Sequence, residues 1–285
     1  MTDYQQTKAQ LIQLGITLPA TTIRKLLSPN YRPPRHLFRL GNTKLSKKIL
    51  MFSLPAVITC PGRTERCSGG DNPPCYATHY RYRSEIVMRP RVENTVLAHR
   101  KDFAELIYED LRFFQVRVVR PHDSGDFFNV EYANAWLNVM RRTRTSHQYF
   151  LFTRSWRVEP IHEVIRKMVR LANVRVWYSV DADSIPPTKL DRRVRLAWMQ
   201  LDEQDQPNYP VDLVFRNYNL RVNPVKRVSG ALVCPYENGV SRNLESTFNC
   251  YTCQMCWGPL DGVKDPRHHF QPEKLRGRLS LPMIK

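Results

Sequence analysis

Apolar and polar positions alternate along this chain in two rhythms, and the rhythm changes mark its elements. Residues 1–28 carry spacing that predicts one or two short helices, followed by a Pro-rich connector from Ser28 to Pro34. The run Ile49 to Leu54, ended by Pro55, predicts a first strand. From Val92 the period lengthens. Val92, Val96, Phe103, Leu106, Ile107, Leu111 and Phe114 form an apolar stripe at steps of three and four, a helical signal. Val116 to Val119 predicts a buried strand, and Asn129 caps a helix whose inner face is Val130, Ala133, Trp136, Leu137 and Met140. A strand at Tyr149–Phe152, a helix at Val158–Leu171 and a strand at Val174–Val180 continue the series. Short strands at Leu196–Met199, Leu213–Phe215 and Ala231–Val233 end it, the last running into Cys234.

Alternation of strand and helix demands parallel strands with right-handed crossovers. The expected class is α/β: a TIM-type barrel, full or partial, with N-terminal helices and a C-terminal cysteine-rich metal loop. The organisation expected is a helical extension over 1–34, the barrel over 35–233 and the cysteine-rich segment over 234–285. No G-x-G-x-x-G follows the first strand, which weighs against a dinucleotide-binding open sheet.

In such barrels the chemistry sits at the carboxyl ends of the strands. Those ends are polar here: Ser53; His122 to Asp126; Thr153-Arg154-Ser155; Ser179 to Asp183; Arg216-Asn217; Cys234. Asp126 could instead cap the following helix, Asp181 and Asp183 could be turn residues, and either arginine could pair with a neighbouring aspartate.

The cysteines are the most specific chemistry. Cys234, Cys250, Cys253 and Cys256 read C-x15-C-x2-C-x2-C and are closed by Trp257. Four thiolates suit a [4Fe-4S] cluster or a zinc ion; the tight triplet favours the cluster, and a structural zinc knuckle is the alternative. Cys60, Cys67 and Cys75 form a looser set within the Gly-, Pro- and Cys-rich loop Thr59 to Cys75. They are a second candidate metal site, three buried thiols, or a structural site completed by His79.

Two resemblances follow. From Ser53 to about Ser184 the chain resembles the phage- and plasmid-borne gene product 88 family. The matching pieces are Phe52-Ser53-Leu54-Pro55, Cys60-Pro61-Gly62, Cys75-Tyr76-Ala77, Ser124-Gly125-Asp126-Phe127-Phe128 with Tyr132 and Trp136, and Phe152-Thr153-Arg154-Ser155. The closing Cys-x2-Cys-x2-Cys-Trp is similar too. That resemblance implies a mobile-element protein working in a bacterial host cytoplasm. More distantly, three cysteines after the first strand resemble radical S-adenosylmethionine enzymes, which hold there a cluster with one open iron. Their Gly-Gly-Glu-like turn is similar to Ser124-Gly125-Asp126. The spacing departs from theirs, being C-x6-C-x7-C and not C-x3-C-x2-C.

The net charge of +18 suits polyanions: nucleic acid, nucleotides or phosphorylated cofactors. Seven cysteines without a secretion signal suit metal ligands in the cytoplasm, and no apolar run is long enough for a membrane span. The expectation is therefore an iron–sulfur oxidoreductase acting on a small-molecule or nucleotide substrate, with a flavin (FAD or FMN) as organic cofactor. S-adenosylmethionine is the alternative cofactor, and a nucleic-acid-binding zinc protein is the alternative class. Ser53, Ser124, Gly125, Asp126 and Ser179 are expected to bind the cofactor, Arg154 and Arg216 to hold its phosphate, and His122 or Asp181 to handle protons.

Overall fold

A computed structural model of the protein describes residues 3–13, 15–70, 74–217, 219–220, 225–237 and 249–258. Its frame is a nine-stranded, mostly parallel sheet. In chain order the strands are β1 (Arg39–Leu40), β2 (Ile49–Met51), β3 (Val118–Arg120), β4 (Gln148–Thr153), β5 (Val174–Val180), β6 (Val194–Gln200), β7 (Leu213–Arg216), β8 (Arg227–Val228) and β9 (Ala231–Val233). In space they run β1-β2-β3-β4-β5-β6-β7-β9-β8. Neighbours from β2 through β7 to β9 are parallel, and the two-residue edges β1 and β8 are antiparallel.

The helices are α1 (Asp3–Gln13), α2 (Ala20–Leu27), α3 (Glu65–Ser68), α4 (Glu85–Leu97), α5 (Phe103–Phe113), α6 (Val130–Arg142), α7 (Glu159–Val169) and α8 (Cys250–Cys253). α6 starts where the sequence predicts, because the Asn129 side chain accepts from Tyr132 N at 2.8 Å. The long apolar stripe from Val92 is two helices and not one. The chain leaves helical geometry after Leu97 and restarts at Phe103, with Arg100 bonded to Asp102 and to the carbonyls of Pro29 and Tyr31 between them. No helix among the described residues is long and apolar enough to cross a membrane.

Strand alternation sorts side chains onto two faces. Leu50, Val119, Leu151, Val176, Tyr178 and Trp198 point to the helices. They form the main core with Leu11, Ile23, Val96, Ile107, Trp136 and Ile165. The opposite face carries Ile49, Val118 and Phe150 in one cluster and Trp177, Ala197, Leu213 and Cys234 in another. Residues of the segment 249–258 cover both clusters.

The sheet is curled. Strands lie about 4.8 Å apart, so a flat sheet would separate β2 from β9 by roughly 29 Å. Yet Lys44, before β2, is ion-paired with Glu237, after β9. Its ammonium also lies 5.8 Å from the Phe215 ring centre and 5.6 Å from that of Tyr236. Closure into a barrel, by contrast, is not seen. Among the described residues β1 pairs only with β2 and β8 only with β9, so no ladder joins the two edges. Of the expected full or partial barrel, the α/β layering and the mostly parallel sheet are seen, with an antiparallel two-residue strand at each end. The sequence pattern also missed both edge strands, which are too short to show periodicity, and the loops β5–β6 and β6–β7 carry no helix.

Candidate functional site

At the carboxyl ends of β2, β3 and β4 three loops are locked together by two glycines. A Cβ on Gly62 would collide with the Arg154 carbonyl, so the Cys60-Pro61-Gly62 turn lies directly on the exit of β4. Gly125 has φ of +78°, and a Cβ there would come within 2.6 Å of both Leu54 Cβ and Thr59 Oγ1. Ser124 adds a bond from its Oγ to Leu54 O at 2.6 Å.

Asp126 ties the knot. Its Oδ1 accepts from Phe127 N (2.8 Å) and Thr153 Oγ1 (2.7 Å). Its Oδ2 accepts from Arg154 N (2.7 Å) and Ser155 N (3.2 Å). Burial pushes this carboxyl upward in pKa, and the four donors oppose that shift. The cap of the following helix is Asn129 and not Asp126, whose bonds reach chiefly across to the β4 exit. Asp126 holds the rim together, and both its oxygens are engaged by protein donors.

Beside this knot the three N-terminal cysteines converge. Cys67 and Cys75 are hydrogen-bonded through their side chains, and Cys60 lies within electrostatic range of both. The hydrogen bond from Cys75 lowers the pKa of Cys67, burial opposes this, and the Arg154 guanidinium assists it. Burial pushes Cys60 up. Arg154 Nη1 lies 2.7 Å from Asp181 Oδ2, outside hydrogen-bonding directions, so the contact is an ion pair. Asp181 also accepts from Thr64 Oγ1 at 2.6 Å, and Thr64 in turn caps α3 through Cys67 N at 3.1 Å. Arg66 extends the clamp, with its backbone N–H on Asp183 Oδ2 (2.9 Å) and its side chain on Asp205 Oδ2 (2.9 Å).

The remaining expected residues are more dispersed. Arg216 donates to Gln200 Oε1 at 3.1 Å. The Ser53 carbonyl accepts from Asn94 Nδ2, and the Ser179 carbonyl from Trp156 Nε1. His122 turns away from the thiols and sits between Phe127, Tyr132 and Trp136, with Nε2 2.7 Å from Tyr132 Oη. Burial, helped by Arg120, pushes its pKa down to about 3. A histidine depressed in the folded state contributes stability above its unfolded value near 6.5 that is lost as pH falls toward 3, on the order of 4–5 kcal/mol in all. Urea unfolding midpoints measured from pH 7 to pH 4 should fall accordingly, and His122→Phe should flatten that slope.

The second thiol set lies on the inner face of the arc. Burial pushes Cys234, Cys250, Cys253 and Cys256 all upward in pKa, and each thiol lies within electrostatic range of the other three. Cys234 follows β9 directly, with its N–H on Val214 O at 2.9 Å. The other three lie on a turn that begins with α8, where Asn249 and Thr252 form a capping box, and closes through Gln254 at φ +58°. Donors on inward strand positions hold this turn by its carbonyls. Trp177 Nε1 reaches Cys256 O (3.0 Å), Arg195 Nη1 reaches Met255 O (3.3 Å) and Arg175 Nε reaches Gly258 O (3.4 Å). Trp257 stacks on Tyr251 and donates to Cys250 O at 3.0 Å. Phe152, Trp177 and Phe215 wall the site, and Phe152 stacks on Trp177.

Charge on this face suits an anionic group. Lys44 and Arg120 both lie in the field of Cys250, and Arg195 lies in that of Cys256. Nε of Arg120 and Nε of Arg195 are buried without a hydrogen-bond partner. A donor set of four thiols beside two guanidinium groups with unpartnered Nε atoms fits a metal–thiolate group, whose net charge is negative. As they stand, no three His, Cys, Asp or Glu side chains among the described residues are placed to hold a single metal ion. Sequence reasoning missed Arg120, Arg195, Lys44 and Thr64. For the first two a signal existed: Arg120 alternates with Val119, and Arg195 with Leu196, which puts a charge on the inward face of a buried strand.

No curated protein and no solved structure matches the chain. A family model described as gene product 88 matches residues 35–259, a span that takes in both cysteine sets and the whole sheet. On that match the chain belongs to the gene product 88 family.

Proposed function

We propose that this protein is an iron–sulfur redox enzyme whose reaction takes place at the carboxyl rim of its curled, partial-barrel sheet. Cys234, Cys250, Cys253 and Cys256 would hold a [4Fe-4S] cluster on the inner face, in a cysteine-rich metal loop. The rim set Cys60, Cys67 and Cys75 would hold a second. The observation that carries this reading is the gathering of all seven cysteines into two groups on one sheet, each half-buried or buried beside arginine. Clusters so held supply or remove single electrons for an organic cofactor bound nearby. The chain's own part is to exclude water with Phe152, Trp177 and Phe215, and to order the rim through Asp126, Gly62 and Gly125.

Between the two organic cofactors, the rim geometry favours S-adenosylmethionine over a flavin. Three thiols leave one cluster corner without a protein ligand, where such a cofactor can bind. The arginines expected to clamp a flavin phosphate are already engaged, Arg154 on Asp181 and Arg216 on Gln200. The anionic nucleotide portion of either cofactor accords with the +18 charge. Basic charge is also what a nucleic-acid-binding zinc protein would carry, so metal identity decides between the classes.

The test is anaerobic purification followed by iron, sulfide, zinc and flavin analysis, then incubation with S-adenosylmethionine and dithionite. Iron and sulfide in equal amounts, with reductive cleavage of the cofactor, are expected. A colourless preparation holding zinc and no iron would sink the redox reading. Bound flavin with no cleavage would return the organic cofactor to flavin.

A further inference from the structure

Among the described residues three arginines bury an Nε without a partner, Arg66 at the rim and Arg120 and Arg195 in the field of one and the same thiol group. Arg120 leaves the end of β3, with its guanidinium 6.0 Å from the Phe150 ring centre and 5.6 Å from that of Phe152. Arg195 leaves β6 over Trp177 at 5.3 Å and is anchored on Met255 O. Cys256 lies in the field of both. Lys44, another cation of this face, is ion-paired with Glu237, and Arg175 donates to Gly258 O. Asp123 lies in the field of Arg120 and Asp212 in that of Arg195, yet each guanidinium keeps a buried Nε with no hydrogen-bond partner. The rings beneath them exclude water without neutralising them.

We infer that Arg120 and Arg195 are positioning residues that supply the counter-charge of the cluster on Cys234, Cys250, Cys253 and Cys256 and raise its reduction potential. The inference rests on the iron–sulfur reading above. A [4Fe-4S] core of charge +2 with four thiolates carries −2. One electron from a donor such as dithionite takes it to −3, and no bond is made or broken. Fixed positive charge in a dry site stabilises the −3 state more than the −2 state, so it moves the potential upward. A zinc ion on the same thiolates has no such step. Arg120 also lies in the field of Tyr76 and Asp123, and Tyr76 follows the rim ligand Cys75. It is thus the inner-face charge that reaches toward the other thiol set.

The test uses the full chain, purified anaerobically and reconstituted with iron and sulfide, as wild type, Arg120→Met, Arg120→Lys and Arg195→Met. Midpoint potentials are read from a dithionite titration followed by electron paramagnetic resonance, and iron release to a chelator is timed. Both methionine variants should shift to lower potential and lose iron about tenfold faster. The lysine variant should stay close to wild type. Because a buried guanidinium with an unpartnered Nε is unfavourable without metal, metal-free Arg120→Met should unfold at a temperature no lower than metal-free wild type. Unchanged potential and iron release in both methionine variants overturn the inference. So does an Arg120→Met protein whose metal-free form is less stable or fails to fold, since that marks a packing role. A wild type that takes up no iron overturns the parent reading together with this one, whereas iron with unmoved potentials overturns this one alone.

Discussion

Asp126→Ala is expected to lower the unfolding free energy by about 3–5 kcal/mol, a large share of the roughly 5–15 kcal/mol of a typical domain. The carboxylate is buried and receives four donors from three residues of the β4 exit and from Phe127. Truncation strands those donors where water does not reach, which costs more than the net worth of the bonds themselves. Burial raises the pKa of this carboxyl, so part of the charged form's cost is already present in the native protein. Asp126→Asn is therefore the informative partner. An amide keeps the acceptor facing Thr153 or Arg154 but turns an NH2 toward the other donors, and it should recover about a third to a half of the loss. Urea denaturation of the three proteins at pH 7 checks the order. Equal stability of Asp126→Ala and wild type would mean that the rim is held by the glycine contacts alone.

The second large effect concerns metal. Cys253→Ser and Cys67→Ser are each expected to remove about half of the iron of the anaerobic protein, because they empty different sites. The two losses should add, since the sets lie on different surfaces of the sheet. Their consequences differ. Cys67→Ser should abolish S-adenosylmethionine cleavage and leave the inner-face cluster spectrum in place. Cys253→Ser should release the turn at 249–258 and expose Trp177 and Phe215, which tryptophan fluorescence would report as a shift to longer wavelength. Full iron content in either variant removes that cysteine from the ligand set. Loss of all iron in both would mean one shared site.

Much of the frame was legible in the sequence. Strands β2 to β7 and β9 are short apolar runs at alternating spacing, and α6 and α7 announce themselves by cap and stripe. Closure was not legible, because it depends on the direction of two-residue edges that no pattern reveals. The apolar stripe Val92 to Phe114 runs over two helices, and the break at residues 98–102, where Arg100 reaches back to Pro29 and Tyr31, leaves no mark in its spacing. Of the candidate site, the cysteines stood out by chemistry, and their grouping into two sets by spacing. The roles of Asp126 and Arg154 were harder to read. A carboxylate and a guanidinium look like ligand binders until their protein partners, the β4 backbone and Asp181, are seen. His122 was drawn toward the rim by its neighbours in sequence, but a φ of +65° turns it into the helix-side core.

The covering of the inner face by residues 249–258 has a consequence for how the chain is made. Every strand leaves the ribosome before the turn that shields Phe152, Trp177 and Phe215, so the growing polypeptide passes through a stage with a greasy trough open to solvent. At about 5–20 residues per second that stage lasts on the order of seconds, long enough for two nascent copies on one messenger to meet. Premature stop codons between the last strand and Asn249 should therefore yield insoluble product instead of a smaller working protein.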